Sequence, residues 1–304
     1  MIQQADKTMI PGIRENWRVC FTLDDPRYAD FFFRQISRPE YFYVDTEGND
    51  IAASICMIPH DVMFNGRILR MSMLSHACTM PAYRNEGRMK KLIETAVDVC
   101  SHRELITLVP AAYGESYRPF GFEPIYYRTA YTLEREEGAR LSTYGCMFEP
   151  HPVDMLKVYS SSMHRFNGYV ARTPKDFENL KREINTRGGK VVAYFDEKNN
   201  IRGYATVLLE GREAKIEEMI YQDSTAIMKL VHAAMQERAT VTLHVSQAEN
   251  LSRLFPNAKQ RTYPVVMARL NEPRLFSKLF SCEARTIQEA YRISTKPLMM
   301  VETV

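Results

Sequence analysis

Residues 75–94 read SHACTMPAYRNEGRMKKLIE: an apolar run up to Pro81, then Arg84, two spacers, Gly87 and a stretch rich in positive charge. A strand that ends in a tight turn and passes at once into a helix aims unpaired backbone N–H groups at one point. The helix dipole adds partial positive charge there. Such a corner suits an anion, phosphate above all. Gly87 lets the backbone approach a ligand closely, and Arg84, Arg88, Lys90 and Lys91 add charge around the same point. Taken alone, the pattern also fits a plain strand–helix corner with a solvated basic face.

The elements around this corner are legible. DDPRYADFFFRQI predicts a helix with Asp24 or Asp25 as its N-cap and Pro26 at its first position. Residues 40–80 read as three strands, turned at TEGN (46–49) and FNG (64–66). Beyond Gly87, Met89, Leu92, Ile93, Ala96, Val97 and Cys100 recur at helical spacing, with Arg88, Lys90, Lys91 and Glu94 off that stripe. ELITLVPA reads as a short buried strand, YGESYRPFGFE as a brief helical or looped segment, and PIYYRTAYTL as another strand. A second unit repeats this order in architecture. Residues 153–189 read as helical, 190–211 as a hairpin turned by DEKNN, and EAKIEEMIYQ as a third strand. STAIMKLVHAAMQERA reads as a helix and TVTLHVS as a strand. Residues 136–150 are polar and aperiodic, the best linker candidate.

Length and charge narrow the class. A chain of 304 residues accommodates two ordinary domains. A net charge of +3 gives a weak global field, against a nucleic-acid binder working through a broad basic surface. None of the six cysteines has CxxC spacing, so neither a zinc knuckle nor a redox motif is visible, and no metal is expected. Free thiols point to a reducing cytoplasm. The N-terminal MIQQADKTMIPGIRENW carries charges throughout, so no leader peptide is expected, and no apolar run is long enough to span a bilayer.

Pro81, Arg84-x-x-Gly87 and the following helix resemble the pyrophosphate-binding motif of the GNAT acetyltransferase superfamily, with Met89 where members usually carry Gly or Ala. YRPFGFE (117–123) resembles the second signature, an aromatic four residues before Gly-Phe, matched by Tyr117, Gly121 and Phe122. The tandem arrangement resembles the enhanced-intracellular-survival branch, whose members carry two GNAT-like domains and a sterol-carrier-like third. This resemblance implies an α/β (α+β) chain of tandem GNAT folds, each a mixed, mostly antiparallel sheet flanked by helices. The expected domains are residues 1–135, cofactor-binding; 145–270, a degenerate second copy; and 271–304, a tail left from the third domain.

The activity implied is transfer of an acetyl group from acetyl-CoA to a primary amine, by direct attack and without an enzyme nucleophile. By the resemblance, Ala77, Cys78 and Thr79 line the pantetheine arm through their backbones. Asn85, Glu86, Gly87, Arg88, Met89 and Lys90 surround the pyrophosphate, with Arg84 opening the motif, and Ala112 and Tyr113 touch the cofactor from the next strand's end. Tyr117 is the implied general acid, against a reading as a packed aromatic beside Phe120 and Phe122. For the base, the resembled branch uses the chain's terminal carboxylate, here Val304; His76 is the other candidate, or a structural histidine. Cys78 would invite a ping-pong reaction, but a buried thiol suits direct attack better. Phe31, Phe32, Phe33, Tyr41, Phe42 and Tyr43 read mainly as core, or as acceptor-pocket lining.

The second copy has no glycine in MIYQDSTAIMKL, and its Asp223 would face an anion, so it is not expected to bind pyrophosphate. The acceptor is a small-molecule or peptide amine. Nucleic acid and membrane are not expected partners, and the apolar tail leaves a homo-oligomer open. The competing function is a non-catalytic acyl-CoA-binding regulator.

Overall fold

A computed structural model describes residues 1–22, 25–136 and 140–302. The described residues divide into two compact units: one within Met1–Tyr126 with Pro264–Thr295 and Glu302, and one within Tyr127–Tyr263 with Lys296–Val301.

In the first unit the order is β1 (Ile2–Gln4), α1 (Ile10–Cys20), α2 (Pro26–Phe31), β2 (Phe42–Glu47), β3 (Asp50–Phe64) and β4 (Arg67–Thr79). Then come α3 (Arg88–Ser101), β5 (Ile106–Pro110), α4 (Gly114–Tyr117) and the start of β6 (Glu123–Glu134). Asp25 caps α2 by accepting from the Arg27 N–H, with Pro26 at the first helical position; Asp24 lies outside the described residues. Asn65 and Gly66 both take positive φ, 46° and 77°, and turn β3 into β4 as a two-residue hairpin. The sheet runs β1-β2-β3-β4-β5. All pairs are antiparallel except β4 with β5, which are parallel. β3 is buried on both faces, which explains its unbroken apolar run. Ala53 and Ile55 pack with Leu92, Ile93 and Ala96 of α3, while Cys56 and Ile58 pack with Ile13 and Trp17 of α1.

The second unit continues β6 and adds β7 (Cys146–Phe148), α5 (Pro152–Met163), β8 (Tyr169–Val170), α6 (Pro174–Thr186), β9 (Lys190–Phe195) and β10 (Ile201–Glu210). β11 (Glu213–Tyr221), α7 (Ser224–Glu237), β12 (Thr240–Ser246) and the first part of β13 (Lys259–Leu270) follow. Its sheet runs β6-β12-β11-β10-β9-β7, with β11 and β12 parallel. Alternate residues of β9 face opposite helices: Val191 and Ala193 pack with α5 and α6, Val192 with α7. The predicted helical stretch 153–189 is interrupted. Gly168, at φ 71°, turns the chain into extended Tyr169–Val170, and a Thr173–Asp176 capping box with Pro174 starts α6 afresh.

After β13 the chain returns to the first unit. Val266–Leu270 pair antiparallel with Ile106–Pro110, placing β13 beside β5. NEPRLFSKLF forms α8 (Pro273–Phe280), and α9 (Ile287–Arg292) follows. Phe276 is fully buried against Phe64, and the Tyr291 hydroxyl meets that of Tyr126 at 3.1 Å. Among the described residues, no helix is long and apolar enough to cross a membrane.

Candidate active site

The Arg84-x-x-Gly87 segment forms the corner between β4 and α3. Asn85 and Gly87 both sit in the left-handed region, at φ 66° and 73°. Asn tolerates that conformation and Gly takes it freely. A Cβ on Gly87 would meet nothing within 4 Å, so glycine serves the backbone angle and leaves open space above the turn. Gly87 is the N-cap of α3, and no side chain caps the helix. Its carbonyl accepts from the Lys91 N–H at 3.2 Å, so the N–H groups of Arg88, Met89 and Lys90 precede the helical ladder. Arg84, Asn85, Glu86 and Lys90 are exposed around this point. Arg84 is steered by an Nε hydrogen bond to the Thr79 carbonyl at 3.1 Å.

Arg88 is engaged differently. Its guanidinium meets Glu47 at 2.7 Å, Glu86 at 2.8 Å and Asp45 at 3.1 Å. These carboxylates tie the start of α3 to β2, so Arg88 anchors the corner rather than lending it a free charge. A polar hollow of about 410 Å³ opens here, lined by Met1, Ile2, Asp45, Glu86, Arg88 and Lys91.

The strand leading into the corner is irregular. Among the described residues β4 pairs with β5 only at Met73↔Leu108, and beyond that level the two strands part. Against β3, Ser75 faces Cys56 and Cys78 faces Ser54, so His76 and Ala77 together oppose Ile55. His76 has φ 49°. This is a β-bulge, which removes a backbone N–H from the ladder at the mouth of the parting strands.

The His76 ring holds the bulge in place. It stacks on Trp17 at 3.9 Å, with Phe32 at 4.7 Å, and its Nδ1 lies 2.9 Å from Ser75 Oγ. Burial pushes its pKa down to about 3, so the ring is neutral at ordinary pH. Cys78 is buried, 3.3 Å from Ser54 Oγ. Its thiol is held protonated, first by a hydrogen bond with Cys20 and then by burial.

Tyr117 lies on the opposite face of the sheet, in one cluster with Ile55, Val109, Ala77 and Met89. Phe122 meets it edge to face at 5.7 Å. It is 5% exposed, yet its hydroxyl makes no hydrogen bond to any described residue. Burial, then the neighbouring Tyr113, push its pKa up to about 12. Ala112 and Tyr113 follow β5 directly and are exposed. The structure therefore brings Ala77, Met89 and Tyr117 into one cluster, places His76 and Cys78 on the α1 face, and leaves the corner residues at the surface. Val304 lies outside the described residues.

Two features were missed by pattern reading. A Cβ on Gly114 would lie 2.6 Å from the Met267 sulfur, so β13 passes directly under the Tyr117 turn. The bulge depends on register against β3, which spacing along β4 does not reveal.

The second unit builds the same corner and closes it. Asp223 caps α7, its Oδ1 accepting from the Ala226 N–H at 2.8 Å, while Arg202 reaches its Oδ2 at 2.7 Å. β11 and β12 pair as far as Ile216↔Leu243. At the next residues, where the strands part, the Arg128 guanidinium donates to the Glu217 carbonyl and to the His244 carbonyl, the latter at 3.0 Å. Arg128 is 7% exposed and fills the gap.

Comparison with known proteins agrees with this duplication. Residues 1–125 and residues 168–270 each match a family described as acetyltransferase (GNAT) domain. No curated protein is similar to the sequence. A probable N-acyltransferase from Enterococcus faecalis shares the fold with a TM-score of 0.74 and 16% identity, over 90% of this chain and 73% of that one. A GCN5-related N-acetyltransferase from Anabaena variabilis gives 0.74 and 18% over the same shares. Eis1 from Mycobacterium abscessus gives 0.67 and 13%, over 93% and 76%. The chain belongs to the GNAT acetyltransferases and carries two such domains in tandem.

Proposed function

We propose that the first unit transfers an acetyl group from acetyl-CoA to a primary amine of a small molecule or peptide. The observation that carries this reading is the uncapped N-terminus of α3 behind left-handed Gly87, set beside strands that part. The N–H groups of Arg88, Met89 and Lys90 receive the pyrophosphate, with Arg84, Asn85 and Glu86 around it. The pantetheine arm follows the backbone of Ala77, Cys78 and Thr79, and Ala112 and Tyr113 border it from β5. When bound, the thioester supplies an activated acyl carbon.

The amine nitrogen bonds to that carbon, and the bulge at His76 and Ala77 offers a backbone N–H to the developing oxyanion. As the C–S bond breaks, Tyr117 gives its proton to the sulfur. The proton released at nitrogen returns to the phenolate through solvent. A phenol held near 12 keeps its proton until that moment, and the dry surroundings that raise Tyr117 also raise a thiol placed beside it. His76 serves here as the wedge that sets the bulge; with a pKa near 3 it is a weak base. The reaction belongs to a reducing compartment, the cytoplasm, because the core closes without any disulfide.

A thiol-release assay with acetyl-CoA against a panel of primary amines tests the reading. Acceptor-dependent release supports it. Acetyl-CoA binding without release by any amine replaces it with a regulator that senses the cofactor.

A further inference from the structure

Two arginines of the second unit are withdrawn from solvent, and their charges are met differently. Arg172, whose side chain is 8% exposed, donates to both Glu218 carboxylate oxygens, at 2.6 and 2.9 Å. Arg128 is equally buried, yet it forms no ion pair among the described residues. Its Nη2 donates to the Glu217 and His244 carbonyls, and its Nε has no hydrogen-bond partner among the described residues. The carboxylates around it are engaged elsewhere. Glu217 meets Arg187 at 3.0 Å and Lys215 at 3.1 Å, Glu218 meets Arg172, and Glu249 meets Arg165 at 3.1 Å and the Tyr221 hydroxyl at 2.6 Å. A guanidinium stays charged at any ordinary pH. Carbonyl dipoles alone do not balance a full charge taken out of water.

His244 adds a second unmet group beside it. The register of β6 against β12 sets Ala130 opposite His244 and Arg128 opposite Ser246, so Arg128 and His244 share one face of neighbouring strands. His244 is buried, its Nδ1 lies 2.6 Å from the Tyr263 hydroxyl, and its Nε2 has no hydrogen-bond partner among the described residues. Burial, then the Arg128 charge, push its pKa down to about 4, so the ring is neutral.

We propose that Arg128 Nε and His244 Nε2 hold a small monovalent anion of the halide class inside the second unit, at the level where β11 and β12 part. With the Tyr263 hydroxyl donating to Nδ1, the ring proton sits on Nε2 and both nitrogens present an N–H. One negative charge then balances one guanidinium. A phosphate carries close to two charges and three strong acceptor oxygens, more than this pair of donors satisfies. The anion is a counter-ion that keeps Arg128 across the gap between the strands.

The test melts the full chain while sodium chloride replaces sodium gluconate at constant ionic strength, and maps bromide by anomalous diffraction in crystals grown with sodium bromide. The expected result is a saturable rise in melting temperature of about 2–4 °C, and a bromide peak in contact with Arg128 Nε and His244 Nε2. In Arg128→Met the melting temperature no longer responds to chloride, and in His244→Phe the response needs more chloride. No bromide peak at this point, a peak at the Gly87 corner alone, or an equal chloride response in Arg128→Met overturns the proposal. If Arg128→Met fails to fold, the bromide map of the wild-type chain alone decides. None of these readings involves acetyl-CoA.

Discussion

At Gly87 the chain enters α3 through a left-handed residue with no side chain over the helix end, whereas at Asp223 it enters α7 through an extended residue whose carboxylate accepts from the Ala226 N–H. An N-cap of that kind stabilises a helix by about 1 kcal/mol, so α7 is satisfied within its own unit and α3 is not. The strands before each corner differ in the same sense. β4 and β5 part with no side-chain hydrogen bond bridging them among the described residues, while Arg128 bridges the Glu217 and His244 carbonyls where β11 and β12 part. One scaffold thus yields a corner whose backbone donors stay open at Gly87, and one whose backbone groups are engaged by an Asp and an Arg at the second unit.

The largest expected effect comes from moving the second corner's chemistry into the first. Gly87→Asp places a carboxylate where pyrophosphate would sit and lets it cap α3 itself. Acetyl-CoA affinity by calorimetry should fall at least about a hundredfold, some 2.7 kcal/mol. A Cβ at this position meets no neighbour, so the cost to the fold is only the left-handed backbone, about 1 kcal/mol. Unchanged affinity would remove the corner from the site.

Tyr117→Phe separates binding from chemistry within the first unit. Turnover should fall about a hundredfold, while acetyl-CoA affinity stays within about threefold. Melting should barely move, because the lost hydroxyl has no partner among the described residues. Loss of affinity equal to loss of turnover would make Tyr117 a packing residue.

Arg128→Met sharpens the comparison from the other side. It leaves two buried carbonyls without their donor, with an expected destabilisation of about 2 kcal/mol, read as a lower denaturant midpoint. Acetyl-CoA affinity should not change. Asp223→Ala is the smallest of the series: about 1 kcal/mol of stability with binding again unaltered. If either variant weakened acetyl-CoA binding, the second unit would be more than a structural copy.

Much of this contrast is written locally. The apolar stripe from Met89 to Cys100 marks α3, Gly87 marks its left-handed start, and Asp223 without a nearby glycine marks a corner of another kind. These signals lie within one or two turns of chain, where propensity and capping act. The remainder depends on partners distant in sequence. The bulge at His76 exists only against Ile55 of β3, Arg88 is spent on Asp45 and Glu47 of β2, and β5 is flanked by Val266–Leu270 from the far end of the chain. Arg128 reads as an ordinary charged strand residue until β11 and β12 are seen to part beneath it. Register and strand order are long-range choices, and spacing along one segment does not carry them.

The measurement that bears most directly on the difference between the two corners is a calorimetric titration of the intact chain with acetyl-CoA, repeated on Gly87→Asp. One site per chain, lost in Gly87→Asp, is the result expected if only the open corner receives the pyrophosphate. Two equivalent sites, or a single site that survives Gly87→Asp, would contradict it.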